Sequence, residues 1–276
     1  MSIGLGLGSS YYGGGSSQPG NPSHTYELDD LLADAVAVTS GGGTHVIGSY
    51  VSLGDVDSNL SGIVLELGGV GTATMRCQWS LRKNGSTVIV PDLHINPGTN
   101  SWNRIMLPLA LTAGDTLEIA LRCQAASQVM RAAVTGIVAN AQAAPGFSAM
   151  TGLSVSTGAT YPSAVSVGNG DGTQAWTQLI ADSGSTAFGS IMTSACNDSV
   201  PLAAQRCVLA LATGALNNEV EFYRTIINVI TSSPYLASAI PPVIRKSIPA
   251  NSRLSAKIIA PTPNADTFRV GLWGFA

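Results

Sequence analysis

The sequence predicts an all-β protein: two tandem jelly-roll-like β-sandwich domains preceded by an extended Gly-rich N-terminal arm. Three observations carry that expectation. Short runs of Val, Ile, Leu and Thr are punctuated by Gly, Asn, Pro and Ser at roughly eight- to twelve-residue spacing, the pattern of sandwiches and barrels. Only the stretch 26–35 has room for a helical turn or two, with Asp29 and Asp30 early in it. The strand pattern also runs through the chain twice in the same order. The organisation expected is an anchor arm at 1–26, a first sandwich at 27–140, a linker with one irregular strand at 141–174, and a second sandwich, a repeat of the first, at 175–276.

In the first half the expected strands are 34–38, 44–51, 62–67, 73–82, 86–93, 103–109, 116–124 and 130–139. Asn84-Gly85 marks a hairpin, because a type I′ turn needs positive φ at both central residues, and Thr112-Ala113-Gly114-Asp115 marks a second turn. In the second half the expected strands are 177–181, 187–193, 206–211, 219–224, 226–230, 243–248, 253–259 and 267–275. Between the halves, 141–174 is rich in Gly, Ala, Ser, Thr and Asn and contains the run Gly168 to Thr173.

The duplication is read from short matches. Leu32-Ala33-Asp34 matches Ile180-Ala181-Asp182, Gly48-Ser49 matches Gly189-Ser190, and Val64 to Leu67 matches Val208 to Leu211. Leu111 to Leu117 runs parallel to Ile248 to Leu254. Met130-Arg131 then matches Phe268-Arg269, and Gly136-Ile137 matches Gly274-Phe275. The order persists over about 90 residues while identity is low.

Composition excludes several functions. Of 276 residues 45% are hydrophobic, enough for one or two cores, but only 11% are charged, against about 25% in a typical soluble domain. A net charge of −3 gives no basic stripe to displace counterions from phosphate, so nucleic-acid binding is not expected. Mean hydropathy is +0.27. The apolar runs stop well short of the roughly 20 residues that span a bilayer, so no membrane insertion is expected. A weakly charged surface suits a subunit held in a homo-oligomer better than a free monomer.

The first 26 residues hold no charged side chain, and lack both the basic and the continuous apolar stretch of a secretory signal. Gly4, Gly6 and Gly8 disfavour helix and leave Ile3, Leu5 and Leu7 alternating as on one edge of an extended strand. Together with Tyr11 and Tyr12 they are the candidate partner-anchoring residues of a peptide that orders by strand addition; the bland alternative is a Gly/Ser tether. The four cysteines, Cys77, Cys123, Cys196 and Cys207, form no CxxC pair and have no His at ligand spacing, so no metal site is expected. Reduced core thiols are the default, and a disulfide requires maturation outside the cell.

The search for catalytic groups yields none, and no cofactor is expected. Asp92 and His94 are formally an acid/base pair, but alternating polar residues ordinarily form a strand's solvent face. Asp29/Asp30 reads as a helix N-terminal turn, and Glu219/Glu221 as an exposed strand face. Neither Gly-rich run precedes a strand-to-helix pattern, so neither is a phosphate loop. One binding signal stands out. Asn100, Trp102, Asn103 and Arg104 bring an aromatic face beside amide and guanidinium donors, the equipment for a sugar ring, and Tyr235 sits in the equivalent loop of the second unit. The competing reading has Trp102 opening the following strand and packing inside. Trp79, Trp176 and Trp273 read as core.

The start MSIGLGLGSS, the stretch WTQLIADS…AFGSI and the segment SIPANSRLSAKI resemble a virion structural protein of a tailed bacteriophage or a gene transfer agent. The resemblance implies a head decoration or spike subunit, or a tail fibre or baseplate-associated subunit. Its partners would be further copies of itself and the capsid, portal-proximal or tail/baseplate subunits, in a virion assembled in the host cytoplasm. The arm would dock to the particle, and weak contacts with host surface polysaccharide would gain strength by avidity. A free carbohydrate-binding module or lectin-like protein is the alternative, and an envelope adhesin subunit a third reading.

Overall fold

The computed structural model describes residues 35–69, 76–95, 102–138, 146–154, 162–169, 175–197, 205–229, 243–261 and 266–276. All regular structure among them is β, in several sheets. In the first half one four-stranded sheet runs β1 (Val36–Thr39), β8 (Val129–Val138), β3 (Leu60–Gly69) and β6 (Trp102–Leu107). The other runs β2 (Val51–Asp55), β7 (Thr116–Cys123), β4 (Cys77–Lys83) and β5 (Thr87–His94). Alternation explains the layering. Ile63, Leu65 and Leu67 of β3 meet Cys77, Trp79 and Leu81 of β4 and Leu117, Ile119 and Leu121 of β7 in one buried cluster.

The second half holds β9 (Met150–Ser154), β10 (Ala164–Asn169), β11 (Thr177–Ile180), β12 (Ser190–Asn197), β13 (Gln205–Thr213), β14 (Val220–Val229), β15 (Leu254–Ala260) and β16 (Thr267–Phe275). Its pairing order repeats that of the first half. β11–β15–β13–β14 is antiparallel throughout, as is β2–β7–β4–β5, and β10–β16–β12 matches β1–β8–β3. The bridge Leu60↔Leu111 has its counterpart in Phe188↔Ile248. β10 joins the two layers: Ala164 to Ser166 pair antiparallel with β16, and Val167 to Asn169 pair parallel with β15.

Several expectations hold. Asn84 and Gly85 have φ of 53° and 72°, as the I′ hairpin between β4 and β5 requires. The 112–115 turn closes with the Asp115 amide donating to the Thr112 carbonyl at 3.0 Å, and Gly114 has a φ of 90°. Others are corrected. No strand forms over 44–50: His45 has a φ of 59°, and the segment follows β7 only through isolated hydrogen bonds from His45 and Gly48. The strands expected at 219–224 and 226–230 are one strand over Val220–Val229, because Thr225 simply continues the ladder opposite Leu209. Residues 243–248 make only isolated bridges at Ile244 and Ile248. The stretch 141–174 contributes both β9 and β10, lying end to end along β16.

The repeat matches divide. Leu111 to Leu117 and Ile248 to Leu254 both lead into the second strand of their sheets, and the pairs Met130/Phe268 and Gly136/Gly274 share a place in β8 and β16. Val64 to Leu67 and Val208 to Leu211 do not correspond. The first lies in β3, whose counterpart is β12, while the second lies in β13, the counterpart of β4. Gly48 precedes β2, whereas Gly189 precedes β12, so that match fails as well. Strands facing one core share an apolar pattern, which makes such false matches easy.

The two halves are packed together. The buried cluster of the first sandwich takes in Met150, Met192, Trp273 and Phe275 from the second half. Trp273 Nε1 donates to the Pro91 carbonyl at 2.8 Å. β16 is therefore buried on both faces: Phe268, Val270 and Leu272 enter the second core, while Trp273 and Phe275 join the first.

Candidate functional site

Trp102, Asn103 and Arg104 belong to a strand, not to a loop. Trp102 opens β6 opposite Gly68 of β3, and Arg104 lies opposite Glu66. On the other side of β3, Gly68 faces Arg131 and Glu66 faces Ala133 of β8. Ile105 and Leu107 are buried in the core, so positions 102, 104 and 106 take the outward parity, and Met106 is 58% exposed. The position of Trp102 is thus on the outer face of the sheet, beside a glycine floor. Asn103 takes the inward parity at the strand end and is half-buried.

The charge on this face is arranged by depth. The Arg104 side chain is 56% exposed and its Nε is paired with Glu66 Oε1, whereas the Glu66 side chain is only 5% exposed. Glu66 Oε2 is buried without a hydrogen-bond partner among the described residues. Arg131 reaches back to donate to the Ala35 carbonyl at 2.8 Å. Ile3, Leu5, Leu7, Tyr11, Tyr12, Asn100 and Tyr235 lie outside the described residues.

Of the polar pair on β5, His94 is buried and Asp92 half-buried. His94 lies 3.5 Å from Cys196 Sγ of β12, in the seam between the halves. Asp92 accepts from Arg122 at 3.0 Å and from Ser80 at 3.3 Å. Burial pushes the Asp92 carboxyl upward, against the pull of Arg122 and Ser80. Sequence reasoning missed this seam because the polar residues of β4 and β5 read as an outer face. It is one, and the second half covers it.

Glu219 and Glu221 are likewise engaged. Glu219 pairs with Arg253 and Glu221 with Arg224, each at 2.7 Å, and Lys257 lies 4.0 Å from Glu221. The Arg224 hydrogen bond holds the Glu221 carboxyl below the ordinary range despite burial. Lys257 also sits 4.4 Å from the Trp176 ring centroid, so Trp176 is a half-buried cation–π partner and not core. Trp79 and Trp273 are fully buried, as expected.

Two further features are exposed. β14 pairs only with β13 among the described residues, which makes it an edge, and it carries Val220 and Ile226 more than 60% exposed beside Leu216 of the preceding turn, at 67%, 61% and 64% respectively. A cavity of about 360 Å³ opens at the end of the first sandwich, between Leu53, Asp55 and Asp57 on one side and Leu60, Val134 and Thr135 on the other. Among the described residues no group of three or more His, Cys, Asp or Glu is placed to hold a metal ion.

No family model and no curated protein matches the chain. Among solved structures it is similar to a viral major capsid protein, the STIV MCP, at 10% identity and a TM-score of 0.35, over 87% of this chain and 94% of that one. It is also similar to the N-terminal CBM22-1-CBM22-2 tandem domain of Paenibacillus barcinonensis Xyn10C, at 12% identity and a TM-score of 0.26, over 88% of this chain and 86% of that one.

Proposed function

We propose that this chain is a non-enzymatic virion structural protein: an oligomeric surface component of a phage-like particle, docked through its N-terminal arm. The observation that supports it best is the β14 edge. A ten-residue strand that pairs on one side only among the described residues is a template for another chain. Here Leu216, Val220 and Ile226 stand in solvent on a chain with 11% charged residues. Covering such an edge by a second subunit removes apolar surface from water and completes the ladder. The sequence resemblance covers head decoration, spike, tail fibre and baseplate-associated subunits alike.

The test is the mass of the purified chain by light scattering, with negative-stain images beside those of intact particles. A closed oligomer whose shape recurs on a head or tail supports the reading, and Ile226→Lys lowers its mass to that of the monomer without unfolding it. A folded monomer absent from every particle overturns it.

A second reading, a carbohydrate-binding role, is favoured by the outer face of β6, where the Trp102 position and Arg104 flank Gly68. Glycan-array binding by the monomer, lost in Trp102→Ala and Arg104→Ala, supports it; an empty array overturns it.

A further inference from the structure

We infer that Cys77 and Cys123 are a disulfide pair in waiting: under oxidising conditions they join the neighbouring strands β4 and β7 on the core face of their sheet in the first sandwich. The two residues are directly opposite each other in the antiparallel ladder. Their flanking neighbours settle which kind of pair they form. The Gln124 amide donates to the Arg76 carbonyl, so Arg76/Gln124 is a hydrogen-bonded pair and the next one along, Cys77/Cys123, is not. The remaining backbone groups agree, since the Cys77 carbonyl accepts from Ile95 and the Cys123 carbonyl from His45, on the outer sides of the two strands. In a non-hydrogen-bonded pair the Cα atoms approach to about 4.5 Å, inside the range a disulfide spans without moving the backbone. The two Sγ atoms are already 3.3 Å apart.

The other two cysteines are not so placed. Cys196 in β12 pairs with Arg269 and Cys207 in β13 with Ile227, on strands that are not neighbours. The surroundings also select the product. Cys77 and Cys123 are fully buried, with Met130 Sδ 3.6 Å from Cys77. Burial raises the Cys77 thiol well above its ordinary range, so Cys77 offers little thiolate in the folded protein, and both sulfurs are shielded from an oxidant in solution. Bonding therefore belongs to folding or to transient opening of the sheet. With oxidised glutathione, one cysteine thiolate attacks a glutathione sulfur and releases one glutathione thiolate. The second cysteine thiolate then attacks the mixed disulfide and releases the other. The protein loses two protons and two electrons, and one glutathione disulfide becomes two glutathione thiols. The mixed disulfide is too bulky for the closed core, which drives the second step as the sandwich packs. The cysteines are 46 residues apart, so in the unfolded chain the bond would close a loop that holds β4 to β7 of the first sandwich.

The experiment refolds the full chain in glutathione buffer rich in the oxidised form, then denatures, alkylates and maps it by mass. The expected result is loss of two of the four alkylatable thiols, a linked peptide pair containing Cys77 and Cys123, and an upward shift in melting temperature relative to the reduced chain. The folded reduced protein in the same buffer should react on the order of 10-fold more slowly or less. Cys123→Ser should keep its three thiols and show no shift; if it fails to fold, the peptide map of the wild-type chain decides. Four alkylated thiols after refolding, or a linkage through Cys196 or Cys207, overturns the inference.

Discussion

Gly136 of β8 lies opposite Ile63, Gly274 of β16 lies opposite Ile191, and in each case the space above the glycine is filled by the side chain three residues before that partner, Leu60 or Phe188. The two glycines therefore hold one structural role in the two halves: each lets a large side chain from the neighbouring strand lie flat across the ladder. They differ in what fills the space. Leu60 is half-buried and ends in mobile methyls, whereas Phe188 is a buried ring.

Alanine at the two positions should separate these cases. A Cβ at 274 would stand 2.4 Å from the Phe188 ring, which is walled in, and Gly274→Ala should cost about 1–3 kcal/mol as overpacking. A Cβ at 136 would meet Leu60 methyls at 2.8 Å, and Gly136→Ala should cost well under that because the methyls swing aside. Urea denaturation of the two variants checks the order.

Trp273 couples the halves through one directed bond and a buried ring. Trp273→Phe keeps most of the ring but leaves the Pro91 carbonyl without its donor, and should cost about 1–3 kcal/mol. Trp273→Ala adds a cavity and should cost about 3–5 kcal/mol. Beyond lowering the midpoint, the alanine variant should split a single unfolding transition into two, measured by calorimetry. A single transition of unchanged midpoint would show that Trp273 does not couple the halves.

Asp115 sets an acid limit on the first sandwich. Its carboxylate accepts from the Thr112 amide at 3.0 Å and from Asn84 at 2.7 Å, with Lys83 3.5 Å away, and these hold it below the ordinary range against burial. A depressed folded value means that the contribution is complete above the unfolded value of about 3.9 and is lost as pH falls through the folded value. Asp115→Asn should lower stability at neutral pH and flatten the acid limb below about pH 4, followed by denaturant midpoints across pH. An unchanged acid limb would contradict this.

Arg104 guards a buried carboxylate. Removing it in Arg104→Ala strands Glu66, whose side chain is 5% exposed, and should cost about 1–3 kcal/mol, more than an exposed arginine ordinarily costs. The double variant Arg104→Leu with Glu66→Leu should recover most of the loss, because no charge is left buried. A double-mutant cycle by chemical denaturation reads the coupling directly.

Much of the fold was legible locally. The Asn84-Gly85 turn, the alternation of β7 and the run of β16 follow from residues within a few positions of one another, and each expected strand boundary there lies close to the observed one. Legibility failed where backbone conformation or distant partners decided. His45 in left-handed backbone ends the extended run that Thr44 to Val51 suggests, and the strands β9 and β10 exist because β15 and β16 offer them ladder positions. For the candidate site, the residue types around Trp102 were readable, but its parity was not until β6 found its register on β3.

By itself, then, the sequence determined the all-β class, the doubled strand pattern and the low charge, because period-2 alternation, turn chemistry and composition are local properties. Only the tertiary structure decided that Gln78, Ser80 and His94 of β4 and β5 are buried, that Gly136 and Gly274 are equivalents, that Cys77 faces Cys123, and that β14 pairs on one side only among the described residues. The reason is physical: any strand can pair with any other through the same backbone groups, so register and neighbours are settled by which side chains are buried together once the chain has folded.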